Sequence, residues 1–364
     1  KEILDLLSHK VSSQDFLSFC RKKPNCFMRN RKMPFGNLIY FMLNSVKKTV
    51  QIELTNFMQS FSMHKNITKS AYSQQRMNLK HEAFIELNNF LIEKTYAEMP
   101  IKRWNGFRLI GVDGSTLELP KSDEIIRDFD QNNDIPMARI STMYDLLNEF
   151  ILDSAISNYA SSELYLAINH FSKLTSNDLV IMDRGYGARW LFYFFSQNKI
   201  DFVIRVQKGF GKDTDEFFST KEYSKIIEVS DLPNKSKKVF KTINPFKYRL
   251  VKVILDNGEI EVLATSLVDE TLHPHQIFKD LYFKRWGTET NLNHLINHVE
   301  LANFTGLSTL SIMQDFYANM LITNIQSMIL QDARQKLDNS NKKYEYKLNK
   351  NLSLGYMKAR VITI

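Results

Sequence analysis

Apolar and polar positions in the first third of the chain recur with a helical period. After Pro34-Phe35-Gly36-Asn37 come Leu38, Ile39, Phe41, Met42 and Val46, one face of a helix. Residues 70–90 repeat the pattern with Met77, Leu79, Phe84, Ile85, Leu87 and Phe90, predicting another amphipathic stretch. Near Pro100 the period changes. Residues 107–113 form a β-type run ending on a carboxylate; residues 116–120 alternate like a strand and stop at proline. Residues 143–155 can continue the sheet. Residues 163–174 are helical in pattern, and 179–183 form a buried-strand run that again ends on an aspartate. Strand, strand, strand, helix, strand is an α/β order. Residues 201–268 read as β-rich, with runs at 248–255 and 260–267 joined by the hairpin signal Asp256-Asn257-Gly258-Glu259. Helical spacing returns over 276–299 and 316–330, and the polar, basic residues 339–350 predict a loop or frayed end.

Composition narrows the class. Of 364 residues, 43% are apolar and 24% charged, which excludes a mostly disordered chain, a collagen-like repeat and a disulfide scaffold. Two cysteines, Cys20 and Cys26, cannot alone make a four-ligand zinc site and point to a reducing compartment. No apolar run reaches the roughly 18 residues of a membrane helix, and no secretory signal is visible, so a soluble intracellular protein is expected. The chain opens on Lys1, which leaves its natural start open. Residues 1–104 hold 17 Lys and Arg against 8 Asp and Glu, residues 105–332 hold 23 against 30, and residues 333–364 hold 8 against 2. A basic first third on a mildly acidic middle suggests a polyanion-binding arm; a solvated basic surface fits the charge equally well. The basic residues Arg21, Lys22, Lys23, Arg29, Arg31, Lys32, Lys47 and Lys48 lie ahead of and between the helical stretches, as in a small DNA-binding bundle. An ordinary helical cap would look the same.

Three stretches carry the candidate chemistry: Gly111-Val112-Asp113-Gly114-Ser115, Asp183-Arg184-Gly185-Tyr186, and Tyr282-Phe283-Lys284-Arg285-Trp286-Gly287-Thr288-Glu289. If the strands ending at Asp113 and Asp183 are parallel neighbours, both carboxylates leave one sheet edge, where α/β sheets bind ligands. Tyr282, Arg285 and Glu289 fall at i, i+3 and i+7, so one helical face would carry all three. Three carboxylates suit Mg²⁺, and a two-ion site supports phosphodiester transfer. Each residue alone has an ordinary reading: a turn-forming Asp, a solvated Glu, a buried ring. Trp286 reads as core.

On these motifs, above all Tyr-x-x-Arg-x-x-x-Glu, the sequence resembles a bacterial DDE transposase of the "insertion sequence four" family. Weaker echoes at Phe202-Val203-Ile204-Arg205-Val206, Leu263-Ala264-Thr265-Ser266-Leu267 and Asn303-Phe304-Thr305-Gly306 extend the resemblance over nearly the whole chain. It implies an α/β fold: an RNase H-like mixed-sheet catalytic core with a β-rich insertion and an N-terminal helical DNA-binding domain. The corresponding division is 1–104 (helical, DNA-binding), 105–200 (core, first part), 201–268 (β-rich insertion), 269–332 (core, second part, with the Glu helix) and 333–364 (basic tail). The resemblance further implies Asp113, Asp183 and Glu289 as catalytic residues and as ligands of Mg²⁺ (or Mn²⁺). It implies Tyr282 and Arg285 as contacts to backbone phosphates; Arg184 and, from the basic cluster, Arg29, Arg31, Lys32, Lys47 and Lys48 are the further expected DNA contacts. The expected partners are double-stranded DNA, as terminal inverted repeats and target, and a second copy in a synaptic complex, with no membrane. The expected location is the bacterial cytoplasm, at the nucleoid. In the family a Lys stands seven residues after the Glu; here that position is Ile296. With the end at Ile364 soon after a Lys-rich stretch, this motivates a second reading, an inactive or truncated DNA-binding regulator. A third is a nuclease of the same core that does not join strands.

Overall fold

The computed structural model describes residues 2–29, 32–44, 49–60, 67–130, 133–234, 236–338, 348–350, 352–353, 355 and 357. Arg31, Lys47 and Lys48, and most of the tail at 339–350, lie outside them. Among the described residues six helices come first: α1 (Glu2–Ser12), α2 (Gln14–Cys20), α3 (Phe35–Leu43), α4 (Val50–Ser60), α5 (Lys69–Arg76) and α6 (Glu82–Glu98). The stretch 70–90 is thus two helices. They are separated by a turn whose Leu79 bridges to Arg21, and the Thr68 side chain caps the first by accepting the Ala71 N–H.

The sheet follows: β1 (Arg108–Glu118), helix α7 (Asp123–Phe129), β2 (Met137–Asp145), β3 (Phe150–Asn158), helix α8 (Glu163–His170), β4 (Asp178–Met182), helix α9 (Arg189–Gln197) and β5 (Asp201–Val206). Then come α10 (Lys212–Ser219), β6 (Ser224–Val229), β7 (Phe246–Ile254), β8 (Ile260–Thr265), α11 (Ile277–Phe283), α12 (Trp286–Asn297) and α13 (Thr309–Asp338). Strand order is β3-β2-β1-β4-β5-β8-β7-β6. β1, β4 and β5 run parallel, and the remaining neighbours are antiparallel. The first five strands form the RNase H-like arrangement.

Several sequence expectations change. The two short runs at 107–113 and 116–120 are one strand, β1, because Gly114 and Ser115 pair with β2 without a break. Asp113 is therefore a mid-strand residue. The single run at 143–155 is the end of β2, a turn and the start of β3. The β-rich residues 201–268 extend the same sheet: β5 joins the parallel strands, β8, β7 and β6 continue outward, and helix α10 intervenes. The helix expected over 276–299 is two, α11 and α12, joined at Lys284-Arg285 by three-residue hydrogen-bonded turns.

Strand alternation divides the core. Ile110, Val112, Val180, Met182, Phe202 and Ile204 face Leu191, Phe192 and Phe195 of α9. Leu109, Leu179, Ile181 and Val203 face Phe278 and Leu281 of α11. The N-terminal helices share the first of these clusters with α13. Arg76, 3% exposed, ties α5 to α13: it donates to Asp315 (2.7 Å), Gln314 Oε1 (2.9 Å), Thr305 Oγ1 (2.6 Å) and the Ser311 carbonyl (3.1 Å). Edge strand β3 is covered by α13, where the Asn324 amide both accepts from the Ile151 N–H and donates to its carbonyl, each at 2.8 Å. No helix among the described residues is long and apolar enough to cross a membrane.

Candidate active site

The parallel β1–β4 ladder ends on the pair Gly111 and Ile181, so two residues further along stand Asp113 and Asp183. The register therefore brings the two aspartates side by side, although only Asp183 ends its strand. Asp183 accepts the Gly185 N–H (2.7 Å) as the cap of a short 3₁₀ turn over Arg184–Tyr186. Asp113 Oδ1 accepts the Gly114 N–H at 2.9 Å.

Helix α12 supplies the third carboxylate. Gly111 permits its approach: a Cβ there would stand 2.0 Å from Thr288 Oγ1. That close packing sets Thr288, and with it Glu289, above β1, a use of Gly111 that the motif reading did not detect. Arg285, 9% exposed, links the carboxylates: Nη2 lies 2.6 Å from Glu289 and Nη1 3.9 Å from Asp113. Its guanidinium lies 5.6 Å from the ring centres of both Tyr282 and Trp286. The break between α11 and α12 therefore leaves Tyr282, Arg285 and Glu289 adjacent. Trp286 is not core; it is 54% exposed, because the helix junction turns its ring outward.

Burial chiefly pushes the Asp113 pKa up to about 6; the Asp183 and Glu289 charges add to this, against the Gly114 N–H and Arg285. The shift sets a sign. The folded state holds the proton more tightly than the unfolded chain, so this contribution to stability is full below the ordinary carboxylate pKa near 4. It is lost as pH rises through about 6, a difference of roughly 2–3 kcal/mol. Asp113→Asn is expected to melt a few degrees above wild type at pH 7.5, with the gap closing toward pH 4. Thermal unfolding across that pH range checks it; a constant gap would contradict the shift.

Polar atoms around the carboxylates are short of partners. The hydroxyls of Tyr282, Tyr186, Thr142 and Thr288, Arg285 Nε and Asn291 Nδ2 are buried with no hydrogen bond. Burial and the nearby charges of Asp113, Glu163 and Asp183 raise the Tyr186 pKa. On the sheet face away from Arg285, Glu163 lies against Gly114 and pairs with Arg139 (2.6 Å). A buried chain, Ser141 to His170 (3.0 Å) to Asp153 (2.9 Å), fastens the far end of α8 there. Sequence spacing gave no sign of it.

Three carboxylates supply the hard oxygen donors that Mg²⁺ or Mn²⁺ takes, and the raised Asp113 pKa marks a site that positive charge relieves. The residue types fit such an ion. Among the described residues no three His, Cys, Asp or Glu side chains are gathered tightly enough to chelate it as they stand, and Arg285 lies between Asp113 and Glu289.

Of the remaining expected contacts, Arg184 is exposed beside Asp183 and lines a groove of about 410 Å³ with Arg189, Trp190, Gln207 and Phe210. Arg29 and Lys32 are exposed on the N-terminal part. Ile296 is half-buried on α12, while His294 is buried with its ring 5.6 Å from that of the exposed His298.

The transposase DDE domain family matches residues 104–325. Transposase InsG for insertion sequence element IS4 of Escherichia coli (strain K12) is 22% identical over 247 residues, 66% of this chain and 55% of that protein, so the chain spans little over half of this relative. A cryo-EM structure of the piggyBac transposase synaptic complex with hairpin DNA shares the fold, with TM-score 0.54 and 11% identity over 99% of this chain and 80% of that one.

Proposed function

Since the chain belongs to the transposase DDE domain family, we propose that it cuts DNA at the ends of a mobile element and joins the freed ends to a target. The observation that carries this reading is that Asp113 and Asp183 each stand two residues beyond the last β1–β4 pair, with Glu289 joined to Asp113 through Arg285. Asp113, Asp183 and Glu289 would hold Mg²⁺ or Mn²⁺, which would supply positive charge to the oxygens of a phosphodiester undergoing transfer. Arg285 and Tyr282 hold backbone phosphates. The guanidinium is a planar fork suited to phosphate, and its unpartnered Nε and the unpartnered Tyr282 hydroxyl supply donors. Arg184, Arg29 and Lys32 add phosphate contacts from exposed positions, and Arg31, Lys47 and Lys48 extend the basic arm. The DNA is double-stranded, with inverted repeats read by the N-terminal helices. Two copies act together in a synaptic complex, in the bacterial cytoplasm at the nucleoid.

The test is a duplex carrying the element's own terminal repeats, followed by gel shift and by strand cutting. Binding in either condition, with cutting and joining only when Mg²⁺ or Mn²⁺ is added, is the expected result. Binding without cutting favours the regulator reading, which Ile296 at the family's lysine position supports. Absence of both overturns the proposal.

A further inference from the structure

We propose that Thr142 is a positioning residue whose side-chain hydroxyl holds the Asp113 carboxylate in its working orientation; this rests on the carboxylate site proposed above. Thr142 of β2 stands directly opposite Asp113 of β1 in an unbroken stretch of antiparallel pairing. Directly opposed residues share a face, with Cβ atoms roughly 4.5–5.5 Å apart, so a hydroxyl and a carboxylate there are within bonding reach. The neighbour Ser141 points the other way and spends its hydroxyl on His170 at 3.0 Å.

Thr142 is 0% exposed, yet its Oγ1 has no hydrogen-bond partner. A buried hydroxyl left in that state is unfavourable and calls for a partner in another state of the molecule. Asp113 has the complementary shortage. Its Oδ1 takes one backbone N–H, while Oδ2 has only the Arg285 Nη1 at 3.9 Å, beyond hydrogen-bonding distance. Both needs fall on one face of two paired strands. Threonine has few side-chain rotamers, so a change of χ1 re-aims the hydroxyl on the face that Thr142 shares with Asp113. When Arg285 gives way, whether to a metal ion or to a DNA phosphate, Asp113 loses its nearest cation, and the Thr142 hydroxyl remains to orient it. Donors to ligating carboxylates act in this way, and their loss typically weakens metal binding about 10–100-fold.

The test is Mn²⁺ binding to the full chain without DNA, by calorimetry, with melting temperature recorded in parallel. Thr142→Val is expected to bind Mn²⁺ at least about tenfold more weakly while melting no lower than wild type, because it deletes an unsatisfied hydroxyl. Thr142→Ser and Thr142→Ala differ by the oxygen alone, so Ser is expected to bind more tightly than Ala even if both lose stability. Equal affinity of that pair overturns the proposal. An Asp113→Asn control separates the two levels: Mn²⁺ binding unchanged by it removes the carboxylate site itself. Binding lost in Asp113→Asn but kept in Thr142→Val and Thr142→Ala removes only the role of Thr142.

Discussion

Asp183→Asn is expected to lower strand cutting by about a thousandfold or more while leaving DNA binding and melting temperature near wild type. The magnitude follows from losing one charged member of a group that acts as a unit on the transferred phosphate. The retained stability follows from the cap. Asp183 holds its 3₁₀ turn by accepting the Gly185 N–H, and an asparagine carbonyl can accept the same bond. Asp183→Ala would lose both charge and cap, so any stability difference between the two variants reports the cap. Single-turnover cutting of a duplex with the element's ends, beside a gel shift, provides the readout. Near-normal cutting by Asp183→Asn would remove Asp183 from the catalytic set.

Arg76→Ala is expected to destabilise the protein by about 3–5 kcal/mol, the usual result of removing one partner of a buried ion pair. Asp315, 9% exposed, would keep its Thr305 bonds but lose its cation. Gln314 and the Ser311 carbonyl would lose a donor as well. Burial opposes the charge on Arg76, but Asp315 and Tyr72 together more than offset it, so the guanidinium stays protonated in place. Urea denaturation of wild type, Arg76→Ala and the double variant Arg76→Ala/Asp315→Asn measures the effect. The double variant should recover part of the loss, because no charge remains unpaired. A loss below about 1 kcal/mol would place this contact with exposed ion pairs.

The carboxylates were legible because each sits in a motif whose spacing survives folding. Asp113 and Asp183 follow apolar runs that pair in parallel and each stand two residues past the last pair, and Arg285 and Glu289 are four apart. What was misread involved local signals overruled by distant partners. Gly114 and Ser115 look like a strand end, yet β2 pairs straight through them. The apolar content of Trp286 suggested burial, but a junction between two helices turns it to solvent. Residues 201–268 read as β-rich, but a sequence shows strands without showing which edge they join; here β8, β7 and β6 extend the sheet beyond β5. The Arg76 network had no local signature: an arginine in Lys69–Arg76 resembles any solvated helix residue until Asp315 arrives from far along the chain.

That separation shapes how the protein is made. Asp315 leaves the ribosome 239 residues after Arg76, an interval on the order of tens of seconds at typical synthesis rates. Until α13 emerges, the N-terminal helices can pack on one another, but the faces of α3 and α6 that α13 covers stay open to solvent and to aggregation.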